Sequence, residues 1–135
     1  MKKTLILVVL LVVSFSCTNS MEDPIEVVPP VVVTSPVIGE WKLISITAMG
    51  QNFINDCKSK DKIEVRTNKT FTITNHFEDN NCAIQTSSGT WRDNLNSTFN
   101  FSVAGDTQVF TLTSDNLLTF SFQQESETIV YSYQK

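Results

Sequence analysis

From Trp41 onward the chain alternates polar and apolar residues with a period of two, not 3.6. A strand sends successive side chains to opposite faces, so this period describes strands with one buried face. No segment of the run carries a competing helical stripe. Turn-forming groups interrupt it at Thr67-Asn68-Lys69, Glu78-Asp79-Asn80-Asn81, Asp93-Asn94-Leu95-Asn96, Gly105-Asp106, Ser114-Asp115-Asn116 and Glu125-Ser126. Asn, Asp, Ser and Gly hold turns by bonding to nearby backbone or by tolerating left-handed dihedrals. The segments between them predict eight strands, over residues 41–48, 62–66, 70–77, 83–92, 98–103, 107–113, 117–123 and 128–133. Residues 49–61 form the longest irregular connection.

Strands of this length, spaced every ~8–12 residues, fold as a sandwich or a barrel. Every connection after residue 66 is short, so sequence neighbours pair as a meander. A meander hides its exposed edges by closing on itself. The expected fold is all-β: an eight-stranded antiparallel up-and-down β-barrel, with an open sandwich of the same strands as its rival. One face of each strand then fills the interior. The predicted core is Trp41, Leu43, Ile63, Val65, Phe71, Ile73, Trp91, Phe99, Phe101, Phe110, Leu112, Leu118, Phe120, Phe122, Ile129 and Tyr131. Gly89 interrupts the fourth strand, which marks a bulge or a close backbone approach.

Before the barrel the chain reads differently. Met1-Lys2-Lys3 is followed by an almost wholly apolar run over residues 4–13. That run is shorter than the ~18–20 residues a membrane span needs, and it reads as a secretory signal. Val13-Ser14-Phe15-Ser16-Cys17 resembles the lipobox of bacterial lipoproteins. There, a small residue precedes a cysteine that is acylated and becomes the first residue of the mature chain. The resemblance implies lipidation of Cys17 and a place on the bacterial outer membrane, at its periplasmic face or the cell surface. Two or more acyl chains on one cysteine anchor stably.

The expected organisation is a signal peptide over residues 1–16, a lipid-anchored Pro-rich linker over 17–36 and a barrel domain over 37–135. All four prolines, Pro24, Pro29, Pro30 and Pro36, fall in the linker. Each fixes φ and removes a backbone donor, so the segment reads as an extended spacer. The chain has three cysteines. With Cys17 lipidated, Cys57 and Cys82 are an even pair in an oxidising compartment, and a disulfide is expected. Closing a loop of that length contributes about 3–4 kcal/mol in the chain-entropy model.

Gly39-x-Trp41 at the first strand resembles the lipocalin G-x-W signature. Gly89-Thr90-Trp91 is similar to a second segment of small lipocalin-like lipoproteins of Bacteroidetes-type bacteria. In those proteins a short domain follows a lipobox, with two cysteines placed much as Cys57 and Cys82 are here. The resemblance covers residues 38–135. It implies a lipocalin-like barrel, one that binds rather than catalyses. The chain departs from full-length lipocalins in having no helical stretch after the last strand.

On this reading the residues facing a small hydrophobic ligand are Trp41, Phe71, Ile73, Thr86, Ser88, Phe101, Phe120 and Tyr131. They give an apolar lining with a few hydroxyls to fix orientation. Nine Phe and two Trp also suffice to fill a small barrel. The alternative is therefore a non-enzymatic cell-surface structural or interaction module with a filled barrel, in which Phe53 and Ile54 of the long connection make contact with a partner or close the barrel end. The single histidine, His76, alternates with outward Thr70, Thr72 and Thr74, and it is expected to be solvated. No enzyme, no metal centre and no cofactor is expected; one histidine and two cysteines do not make a zinc site. Removing residues 1–16 takes away Lys2 and Lys3 and moves the formal net charge from −4 to −6. Such a surface lacks the basic patch that nucleic acid requires. The expected partners are the membrane, through the anchor, and the ligand, with the protein a monomer.

Overall fold

The computed structural model describes residues 34–135. The signal-like run, Cys17 and the linker through residue 33 lie outside the described residues. Nine strands follow: β1 Gly39–Ala48, β2 Gln51–Asn52, β3 Lys62–Val65, β4 Thr70–Phe77, β5 Ala83–Asp93, β6 Thr98–Val103, β7 Asp106–Ser114, β8 Leu117–Gln124 and β9 Glu127–Gln134. Two single 3₁₀ turns, Lys58–Lys60 and Glu78–Asn80, are the only helical elements among the described residues. Each strand from β3 to β9 pairs antiparallel with the next, β1 pairs with β3, and β9 returns to β1. The two-residue β2 only folds back on the end of β1. Eight strands thus close the barrel, and the open sandwich is excluded. The bounds of β4 and β6 are those the alternation predicts, and the others shift by one or two residues.

The first strand explains its own broken alternation. Its pairing with β9 shifts register between Leu43 and Ser45. One extra residue reverses the parity of a strand. Trp41, Leu43 and Ile46 therefore all join the interior, while Ile44 is left exposed.

One end of the barrel is sealed. Val37 and Trp41 are 0% exposed, and the Trp41 Nε1–H donates to the Val37 carbonyl at 2.7 Å. That bond folds residues 35–38 across the opening. The Ser35 hydroxyl reaches the Asp93 carboxylate at 3.4 Å, and the Lys135 ammonium donates to the Pro36 carbonyl at 2.9 Å. Trp91 repeats the device: its Nε1–H donates to the Arg66 carbonyl at 2.9 Å, and the Lys69 ammonium sits 3.8 Å from its ring centroid. A buried indole needs such a partner for its N–H. Ile63, Val65, Phe99 and Leu118 complete the packing.

The two glycines that precede these tryptophans serve different ends. Gly39 has φ +139°, a region that side-chain-bearing residues rarely enter. At Gly89, a Cβ would collide with the Ser102 carbonyl and stand 2.9 Å from the Phe71 ring. Gly89 therefore marks a close approach and not a bulge. The β4–β5 register runs unbroken from Thr70↔Thr90 to Phe77↔Ala83.

The predicted core is corrected at its upper edge. Phe122 is on the rim, 37% exposed, and Ile73, Leu112, Phe120, Ile129 and Tyr131 are half-buried. Tyr133 and Val37 are buried instead. The reason is that side chains pack tightly only in the sealed half. In the other half they surround open space.

The wall itself has a gap. β3 is four residues long and pairs with β1 only over Gly39–Lys42. Beyond that level the only strand on this edge of β1 among the described residues is the two-residue β2, against Thr47 and Ala48. Residues 53–61 occupy the space: Phe53 N–H donates to the Ile46 carbonyl at 2.7 Å, and Leu43 N–H to the Asp61 carbonyl at 2.9 Å. The Asn55 side chain accepts from the Cys57 and Lys58 N–H groups at 3.0 and 2.8 Å, shaping the turn. Cys57 forms a disulfide with Cys82, their Cα atoms 5.5 Å apart. It ties the segment to the β4–β5 connection.

His76 corrects its expectation. It points outward with the threonines, but residues 53–61 cover it, and it is 8% exposed. Its ring Nδ1 lies 3.0 Å from Asp61 Oδ1, and its backbone N–H donates to the same oxygen at 2.6 Å. Lys58 Nζ approaches the other Asp61 oxygen at 3.4 Å. A buried carboxylate is tolerable only when paired and hydrogen-bonded in this way.

Candidate functional site

The open half of the barrel holds a cavity of about 460 Å³. This is within the range of small-molecule sites, ~300–1,000 Å³. Its floor is Phe71, Phe101, Phe110 and Tyr133, and the sealed core lies beneath. Inward parity on each strand decides what rises above the floor. β4 offers Ile73 and Asn75, β5 Ser87, β6 Val103, β7 Gln108 and Asp106, β8 Phe120 and Phe122, and β9 Tyr131.

The aromatic side chains form one connected wall. Phe71 meets Phe101 edge-on with ring centroids 4.7 Å apart, and Phe101 meets Phe110 at 4.6 Å. Phe110 stacks on Phe120 at 5.1 Å, and Phe120 on Phe122 at 5.8 Å. Phe122 stacks in turn on Tyr131 at 6.0 Å. These spacings are those of favourable aromatic pairs. The series climbs from the buried floor to the rim, so aromatic rings line the whole depth of the cavity.

Polar side chains are set among these rings. Asn75, Ser87 and Gln108 line the same cavity, Gln108 directly across from Phe101 in the β6–β7 ladder, and none of the three hydrogen-bonds to another described residue. The same holds for the hydroxyls of Tyr131 and Tyr133, which are the chain's two tyrosines. Among the described residues no fully enclosed side-chain polar atom lacks a partner, so these groups front the open cavity. Burial, then the charge of Asp61, holds the Tyr133 phenol well above its ordinary 10.0. The same two causes raise Tyr131 to a lesser extent. Both are neutral donors at physiological pH, ready to bond to an acceptor placed in the cavity.

Of the residues expected to face a ligand, Phe71, Ile73, Phe101, Phe120 and Tyr131 line this cavity. Trp41 does not, because it is fully buried below the floor with its N–H already committed to Val37. Thr86 and Ser88 are also corrected: both point to solvent, and Ser88 Oγ lies 3.2 Å from Thr72 Oγ1 on the outer face. Trp91 and the unbroken β4–β5 register put the odd-numbered residues of β5 inside. Ser87 takes the inward position. Tyr133, whose hydroxyl the sequence offers beside that of Tyr131, lines the cavity too; Asn75 and Gln108 were not singled out from sequence as facing a ligand, although parity counted from Phe71 and Phe110 reaches both.

The Asp61–His76 pair lies in the wall beside this cavity. Among the described residues no hydroxyl or thiol hydrogen-bonds to the other ring nitrogen of His76, so the pair anchors backbone rather than activating a nucleophile. The described residues bring together no group of three or more metal-ligating side chains.

The chain matches the family model of the lipocalin-like domain over residues 37–133. Among solved structures it is similar to a redesigned β-barrel, with 14% identity and a TM-score of 0.49, covering 74% of this chain and 91% of that one. A search of curated proteins finds no match to the chain.

Proposed function

The chain belongs to the lipocalin-like domain family, and from that premise we propose that it is a membrane-anchored lipoprotein that holds a small, largely hydrophobic ligand in the mouth of its barrel. The observation that carries this reading is the cavity of about 460 Å³, lined by aromatic rings with a few polar groups among them. A ligand site of this kind gains affinity from apolar contact and orientation from a few polar groups. Phe71, Ile73, Phe101, Phe120 and Tyr131 supply the first. Asn75, Ser87 and Tyr133 supply the second. The hollow upper half argues against the filled-barrel interaction module.

The tether rests on sequence. The short apolar run, the small residue before Cys17 and the Pro-rich spacer support lipidation of Cys17 and residence on the bacterial outer membrane. Cys17→Ala should release the protein from membranes in fractionation; continued membrane retention refutes the anchor.

The binding claim is tested by native mass spectrometry of the full chain purified without denaturation. A small apolar mass should accompany the protein and be lost in Ser87→Trp, whose indole would obstruct the cavity. No co-purified mass, together with no displacement of a neutral fluorescent lipophile by that substitution, refutes the pocket.

A further inference from the structure

We infer that the ligand is an organic cation: an apolar, preferably planar body carrying a protonated amine or quaternary nitrogen that lodges at the mouth. This rests on the pocket reading above and narrows it to one charge class. The cavity is lined by fourteen residues, and the only one with a formal charge is Asp106, whose carboxylate stands at the rim. No Lys or Arg lines it, so a fatty acid or other anion would find no counter-charge there.

The surroundings reinforce this sign. The loops and strand ends around the mouth carry Asp56, Glu78, Asp79, Asp106, Glu125 and Glu127 at least partly exposed, against two lysines, Lys58 and Lys60. Lys58 is already engaged, by the Asp61 carboxylate at 3.4 Å and the Phe77 ring at 4.9 Å. The sealed half has the opposite balance, with six of the eight Lys and Arg of the described residues. The barrel is therefore polarised along its axis, negative at the opening. A cleft of one sign with low-dielectric walls concentrates ions of the other sign.

The wall chemistry fits a cation as well as the field does. Phe120, Phe122 and Tyr131 line the cavity as a stacked set, and a cation over an aromatic face is attracted by the ring quadrupole. Asp106 lines the same cavity and adds the one formal charge there. Tyr133, 7% exposed and without a described partner, aims a polar hydroxyl at the deep end of whatever enters. The apolar body then lies along Phe110 and Phe101, with the charge left at the mouth.

Three probes that share one ring system test this: pyrenemethylammonium, pyrenemethanol and pyrenecarboxylate. The full chain carrying Cys17→Ala, so that no acyl group competes, is titrated with each by fluorescence. Ser87→Trp reports which binding occurs in the cavity. Cavity binding should be tightest for the ammonium and weakest for the carboxylate, by about tenfold or more at low salt. The ratio should shrink in ~0.5 M salt, where the Debye length is only a few ångströms. Asp106→Asn should narrow it by roughly threefold. Carboxylate binding as tight as ammonium binding, or a preference indifferent to both salt and Asp106→Asn, overturns the inference while leaving the pocket standing. If no probe binds the parent better than Ser87→Trp, the pocket reading falls, and this inference with it.

Discussion

The two ends of this barrel are made from the same strands and do opposite things. At the sealed end the buried indoles have fixed partners, Trp41 with Val37 and Trp91 with Arg66. At the mouth end Asn75, Ser87, Gln108 and both tyrosines line the cavity with no partner among the described residues. Tight packing with satisfied hydrogen bonds gives stability. Unmet hydrogen-bonding capacity around open space forgoes stability and leaves recognition possible. The molecule separates the two along one axis, so the floor formed by Phe71, Phe101, Phe110 and Tyr133 is a boundary between a folding half and a binding half.

Substitutions on either side of that floor should therefore behave differently. Trp41→Ala removes the largest fully buried side chain and unseals Val37. We expect a loss of about 3–5 kcal/mol in urea unfolding; a loss below 1 kcal/mol would mean the sealed end is not the stabilising half. Cys57→Ser with Cys82→Ser should cost about 3–4 kcal/mol by the same measurement. It should also raise amide hydrogen exchange in residues 53–61 before the rest of the barrel. Asp61→Ala strands the buried His76 N–H and should cost about 1–3 kcal/mol. Phe122→Ala, on the rim, should cost less than ~1 kcal/mol yet weaken ligand binding roughly threefold to tenfold. A large stability loss from this last variant would erase the distinction between the halves.

The smallest effect at neutral pH comes from the tyrosines, and it appears only in alkali. Both phenols titrate above their usual 10.0, through burial first and the Asp61 charge second. A folded-state value above the unfolded one means the stability is fully present below the unfolded value. It is lost as pH rises through the folded value. Ultraviolet titration of the native protein at pH 10.0, where a free phenol is half-ionised, should show little tyrosinate. Tyr131, the less buried, should ionise first, and Tyr133 only as the barrel unfolds. Half-ionisation at pH 10.0 in the folded state would contradict the burial of these hydroxyls.

The barrel was legible because alternation and turn chemistry are local signals. β4 and β6 could be bounded from the residues alone, and Trp91 fixed the inward face of β5. Thr86 and Ser88 were expected inside, whereas counting by two from Trp91 through an unbroken register puts Ser87 there. The actual constraint on Gly89, the Ser102 carbonyl and the Phe71 ring pressed against it, comes from strands distant in sequence. The Asp61–His76 pair was invisible for a related reason. Nothing in Thr70 to His76 tells an outward position under solvent from one under a covering loop. What covers it is set by how short β3 is and where Cys57 and Cys82 meet. Phe122 and Tyr133 exchanged their expected burial because periodicity assigns a face to a residue but not a depth along the barrel.

The short β3 has a further consequence. A barrel whose wall is all ladder can change its bore only by adding a strand or shifting its shear, and either alters every neighbour. Here one stave is replaced by residues 53–61, held by a few discrete fastenings: the Phe53 and Leu43 bonds, the Asp61–His76 pair and one disulfide. Lengthening or shortening that stave leaves the remaining pairings intact. The width of the mouth is thus adjustable by a single loop, which gives the fold one place to retune what it admits without relearning how to close.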